Sequence, residues 1–321
     1  MPIQKLLLND VWSPVSLMLI LIFLLLYING WRQLHRVYPK LATRNRLIVA
    51  IEAAILLVLA LVAPLYAWSD FLMSARAVQK VFLCMVVPPL LWYACPFHTI
   101  VWGLPTAARH WITRHILRYG KRQQWFSLGN TIRVVTQPGV ALLAFIALFF
   151  AWHDRMVVGL VMDSLVARTG YLWILFLGGV VYWWPIMGTG PRIHASYPQW
   201  LHIPYLLAVE IANMSSGISI SFSMSPIYPQ YAEAHASYLQ LPNFNVMYDQ
   251  IATGAIVWVT GSMVYLSAIV MVLYELFKTE SQAPPQWSLD RNATMRTIAP
   301  GLEHRVIQNR WRALEEKKLK S

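Results

Sequence analysis

The chain has 321 residues, 57% of them apolar and only 12% charged, about half the charged fraction of a water-soluble domain. The apolar residues fall in runs of about 20, long enough to cross some 30 Å of hydrocarbon as helices, without the polar stripe of a water-facing helix. A formal charge of +12 invites a nucleic-acid reading. Yet Lys and Arg lie between the apolar runs and never interleave with an aromatic stacking platform, which excludes nucleic acid and leaves membrane lipid as a partner.

The first apolar run, Val15 to Ile28, follows a segment whose one cation is Lys5, with no basic leader and no small-residue cleavage site. It reads as a retained first helix. Apolar runs bounded by charge then predict seven spans, at 14–30, 47–68, 71–95, 138–153, 169–187, 201–223 and 246–276. The second and third are joined by a tight turn, and Pro88-Pro89 should kink the third. Cys84 and Cys95 lie about 16 Å apart along that helix, too far for a disulfide. In the long segment 96–137, His110, Arg114 and Arg118 recur at helical spacing opposite Trp111, Ile112, Ile116 and Leu117, as in a helix lying on the membrane surface. The expected architecture is an all-α polytopic membrane helix bundle over 1–278 with a basic tail over 279–321, in which 302–318 could form a short surface helix.

Orientation follows from the cations. The gaps 31–46, 96–137 and 188–200 and the tail from Lys278 hold 21 of the 26 Lys and Arg residues, all on one side. Lys5, Arg155 and Arg168 fall on the other, and the last two cations lie within the third span. The positive side is the cytoplasm, so seven spans place the N-terminus outside and the tail inside, as in a bacterial inner membrane.

Ionisable residues inside the bilayer are functional candidates because leaving them there is costly. Four stand out: Arg76 and Lys80 on the third span, Glu210 on the sixth and Asp249 at the start of the seventh. Arg76 and Lys80 are four apart and share a helix face, about 8 and 14 Å below the outer surface. Depth alone permits Arg76 with Asp249 and Lys80 with Glu210. Glu210, Asn213, Gly217 and Ser221 form one polar stripe, and Asp249, Thr253 and Gly261, with Gly254 nearby, form another. Such stripes serve as helix-packing glue as well as sites.

Two of nine histidines, His153 and His235, face outward, and thioethers such as Met156 and Met162 lie nearby. Imidazole and thioether suit copper(I), and His153 with Met156 is the one metal-ligand candidate. No Gly-rich phosphate loop or nucleophile elbow is present, so no enzyme is expected.

From the third span onward the sequence resembles a known family. Ser74-Ala75-Arg76-Ala77-Val78-Gln79-Lys80, running on to Pro88-Pro89, is followed by Trp152-His153, then Tyr182-Trp183-Trp184-Pro185. Pro226-Ile227-Tyr228-Pro229-Gln230-Tyr231-Ala232 and Asp249-Gln250 with Gly254 and Trp258 complete the series. In this order the motifs resemble the CtaG-like cytochrome c oxidase assembly proteins over roughly residues 15–277. The resemblance implies a role in assembling haem–copper oxidases, with copper delivered to the catalytic subunit from the outer side. Those relatives carry histidines at the positions of Arg76 and Lys80, and a second histidine pair where this chain reads 167–172 without any. Arg keeps its charge and Lys must lose a proton to coordinate, so the pair is not a metal site as it stands.

The expectation is therefore a non-enzymatic membrane protein that binds a haem–copper oxidase subunit or another respiratory-complex protein. Arg76 and Lys80 would hold the space and charge of copper, and no cofactor is needed. Copper(I) delivery through His153 and nearby methionines is one alternative. A transporter or channel is another, although Arg76, Lys80, Glu210 and Asp249 begin a polar path without completing it.

Overall fold

The computed structural model describes residues 13–112, 128–190, 194, 197–234 and 245–282, and every regular element among them is helical. Six helices are long and apolar enough to cross a membrane, and a seventh span arises if one bent pair is counted together. The expected surface helix lies mostly, and the tail helix wholly, outside the described residues.

Capping residues set the helix starts. Ser13 accepts from the Ser16 N–H at 3.3 Å to open α1 (Pro14–Val37), with Pro14 in the first turn. Thr43 opens α2 (Arg44–Leu61) in the same way. The next span, α3 (Met73–Tyr93), has no cap of its own, because its N-cap residue is Leu72. After it the short α4 (Pro96–Gly103) packs on α1. That approach needs two glycines: a Cβ on Gly103 would collide with the Leu26 carbonyl, and one on Gly30 with the Thr99 carbonyl.

Just before Pro88-Pro89, where a kink was expected, the helix has a π turn over Phe82–Val86, closed by the Val87 N–H on the Phe82 carbonyl. Neither proline has an N–H, so the carbonyls four residues earlier lose their helical donors. One of them, Cys84 O, accepts instead from the Trp183 indole at 3.0 Å.

The fourth span is α5 (Pro138–His153), about 24 Å long at 1.5 Å per residue and too short to cross alone. It breaks at Asp154, whose carboxylate accepts from the Met156 and Val157 amides at 2.9 and 3.1 Å. The chain then turns by 72° into α6 (Arg155–Asp163). Ser164 caps α7 (Leu165–Met187), and Pro185 loosens its last turn. One to two turns earlier, the carbonyls of Val180 and Tyr182 accept from Trp92 and Tyr205. The remaining spans are α8 (His202–Ser221) and α9 (Val246–Lys278), and the second of these contains another π turn at Ile256–Thr260.

The polar stripes of α8 and α9 meet. A Cβ on Gly217 would lie 2.6 Å from Trp258 Cβ and 2.8 Å from the Gly254 carbonyl, so bare backbone is what lets these helices touch. The Ser221 hydroxyl donates across the seam to the Ile251 carbonyl at 3.2 Å. Large apolar side chains such as Leu25, Leu143 and Leu266 stay exposed, as lipid-facing positions require. The chain divides into two compact units, Met1–Val270 and Met271–Ser321. All that is described of the second is the end of the last helix, through Gln282.

Candidate functional site

Arg76 and Lys80 both point into the bundle, 6% and 0% exposed. What receives them is one face of α5, where Phe149, Trp152 and His153 recur at helical spacing. The Arg76 guanidinium lies 4.3 Å from the centroid of the Trp152 ring. Lys80 Nζ sits 3.3 Å over the Phe149 ring and 2.7 Å from His153 Nε2. Both contacts suit a desolvated cation. With an ammonium as donor, His153 Nε2 is the acceptor and the ring proton resides on Nδ1.

Of the two pairs that depth suggested, Lys80 with Glu210 does not form. Lys80 meets His153, while Glu210 Oε1 accepts from the Ser262 hydroxyl. Asp249 serves the helix that bears the cations. Its two oxygens accept from the Met73 and Ser74 amides at 2.7 and 3.1 Å, supplying across the bundle the cap that α3 lacks. A negative charge thus sits at the positive end of the helix that bears Arg76 and Lys80. Glu210 belongs to the α8–α9 seam, beside Asn213 and Gly261.

A third buried cation was not expected. Arg168, assigned to an outer loop by its position before the fifth span, is 7% exposed and lies in the first turn of α7. It donates to Asp70 Oδ2 at 2.5 Å and to the Ser69 hydroxyl at 2.9 Å, with its guanidinium 3.9 Å from the Tyr66 ring centroid. The signal for it was Ser164, a helix cap that draws the next four residues into the helix. Two tyrosines of the Pro226–Ala232 motif also proved to be part of the site. Tyr228 donates to the His153 carbonyl at 2.9 Å, and Tyr231 donates to the Ser69 carbonyl at 2.8 Å and lies within hydrogen-bonding reach of Arg76. Gln250 holds that loop by accepting from the Ile227 amide and donating to the Ile220 and Ser225 carbonyls. Motifs far apart in sequence therefore converge on the Arg76–His153 region.

Beside Arg76 lies a cavity of about 20 Å³, bounded by Trp152, His153, Tyr228, Tyr231, Ile220 and Thr253 among others. Met156 is not among its walls. It lies past the bend, 86% exposed. A soft monovalent metal would need two or three uncharged nitrogen or sulfur donors. The cavity wall offers the His153 imidazole, whose Nε2 faces Lys80, and the Met73 thioether, next to a guanidinium that cannot coordinate. With Nε2 engaged, the thioether is the one soft donor left in the wall, short of the two or three that copper(I) needs.

Comparison with known proteins supplies the frame for this geometry. Neither a curated protein nor a solved structure matches the chain. One family model does, over residues 25–279, and its description is Cytochrome c oxidase caa3 assembly factor (Caa3_CtaG). That match takes in every span that supplies a side chain to the Arg76–Lys80–His153 cluster, and the chain belongs to the cytochrome c oxidase caa3 assembly factor family.

Proposed function

We propose that this protein is a non-catalytic, membrane-integral assembly or accessory factor that binds a subunit of a haem–copper oxidase, with fixed cations where its relatives would hold copper. The observation that carries this reading is the Lys80 ammonium 2.7 Å from His153 Nε2. The imidazole that would ligate a metal has a proton donor on its lone pair. Two cations in so small a volume also repel any metal ion, at a separation where low dielectric makes the repulsion large. The scaffold around them is fully bonded: the Asp249 cap, the Gln250-braced loop and the Trp183 bond to the π turn.

In this reading the protein sits in a bacterial inner membrane with its N-terminus outside, the orientation favoured by the 21 of 26 cations on alternate gaps. The site then lies in the outer half of the bilayer. The test is affinity purification from native membranes in mild detergent, with subunit identification and copper content measured on one sample. An oxidase subunit in the eluate, with copper no higher than that subunit accounts for, is the expected result. Consistent failure to recover any respiratory-complex subunit counts against the partner. Copper(I) bound stoichiometrically by the isolated protein and lost on His153→Ala would make it a copper-delivering chaperone instead.

A further inference from the structure

The cavity beside Arg76 has a feature that assembly scaffolding does not require. Arg76 Nη2 is buried and has no hydrogen-bond partner, although the side chain is 94% buried and lines the cavity. An unpaired N–H on a buried charged group costs more than one on a neutral group, so such groups normally have an acceptor. Tyr228, Tyr231 and Thr253 donate to the His153, Ser69 and Asp249 carbonyls, and although Tyr231 is within hydrogen-bonding reach of the guanidinium, no oxygen accepts from Nη2.

We propose that this cavity is a binding site for a chloride-sized monovalent anion, held by the N–H of Arg76 Nη2. Size selects the class. A cavity of about 20 Å³ admits one occupant of roughly a water's dimensions, which excludes a phosphate or a lipid headgroup. Charge selects the sign, because the guanidinium in the wall stays protonated. The walls favour a weakly hydrated ion: Ala77, Val158, Ile220 and Val257 are apolar, and Trp152 presents its ring to the guanidinium. The inference goes beyond the assembly role and holds whichever subunit is the partner. Where relatives would carry a metal cation, this chain carries an anion, and the occupant neutralises part of a buried cationic cluster.

The experiment uses the full-length protein in lipid nanodiscs, with thermal unfolding followed while sodium gluconate is replaced by sodium bromide at constant ionic strength. A saturable rise in Tm, about 3 °C at tenfold above half-saturation, is expected for the wild type and not for Arg76→Gln. No rise, or an equal rise in Arg76→Gln, overturns the site. Should Arg76→Gln fail to fold, crystals of the wild type grown in bromide decide. An anomalous peak within hydrogen-bonding distance of Arg76 Nη2 supports the site, and a cavity without one overturns it.

Discussion

Replacing Lys80 by Met removes a buried ammonium and keeps the length of the side chain. Two effects oppose each other. The desolvation of a fully buried cation disappears, which in other proteins is neutral or even stabilising. At the same time His153 Nε2 loses its donor, at a cost of about 1–3 kcal/mol. The converse change, His153→Phe, leaves the ammonium on the Phe149 ring alone, and breaking one partner of a buried charge costs about 3–5 kcal/mol. In the double variant neither orphan remains. The sum of the single losses should therefore exceed the double loss by about 2 kcal/mol, the coupling of the pair. Reversible unfolding in bicelles or nanodiscs measures it. Additivity within about 0.5 kcal/mol would mean that the Lys80–His153 contact carries no energy. A parallel cycle of Lys80→Met with Glu210→Gln should be additive, since Glu210 is bonded to Ser262.

Four further outcomes follow from the geometry. Asp249→Leu removes the cap from two amides of α3 and should cost about 1–3 kcal/mol, with Asp249→Asn losing less because one acceptor remains; chemical or thermal unfolding reports both. Gly254→Val forces a side chain into Ser221 and the Gly217 carbonyl and should abolish the monodisperse peak in detergent, whereas Gly139→Ala, open to 4 Å, should leave it unchanged in size-exclusion profiles. Asp70→Asn and Arg168→Met should each destabilise, Arg168→Met with Asp70→Asn less than their sum, with the cost moderated because the Asp70 side chain is 39% exposed. His194, bonded to the Thr136 hydroxyl at 2.9 Å, is held below the ordinary histidine value of 6.5 by burial and then by Arg133. Its folded form resists protonation, so its contribution to stability is complete above 6.5 and is lost as the pH falls below that; His194→Gln should flatten the pH dependence of Tm in that window.

Hydropathy made the spans legible because a helix crossing lipid must be apolar for about 20 residues. The α5–α6 bend escaped it because Asp154 breaks the helix within a stretch that is apolar on both sides. A disturbance at Pro88-Pro89 was legible, since a missing N–H must disturb the ladder. That a π turn lies just before it and that a freed carbonyl takes Trp183 was not, because it depends on which helix lies alongside. The same limit explains the site. Spacing along a helix gives depth and the face a residue shares, which placed Arg76 and Lys80 on one face; that this face turns inward is seen only in the structure. Spacing gives nothing about neighbours across the bundle, and so Lys80 was matched to Glu210 when the side chain facing it is His153. Asp249 was read as a counter-charge for a side chain, and its partners include backbone amides, which leave no mark in a residue pattern. The glycines at 217 and 254 were legible as packing because nothing else lets two backbones approach so closely.

The claim on which the account turns is that cations stand where a copper ligand pair would. The most direct measurement is Cu(I) per protein after reconstitution under reducing conditions, on the wild type and on Arg76→His with Lys80→His. The account predicts no stoichiometric copper in the wild type and about one ion in the double variant, where His153 and two new imidazoles share the cavity. One copper per chain in the wild type, removed by His153→Ala, would contradict it.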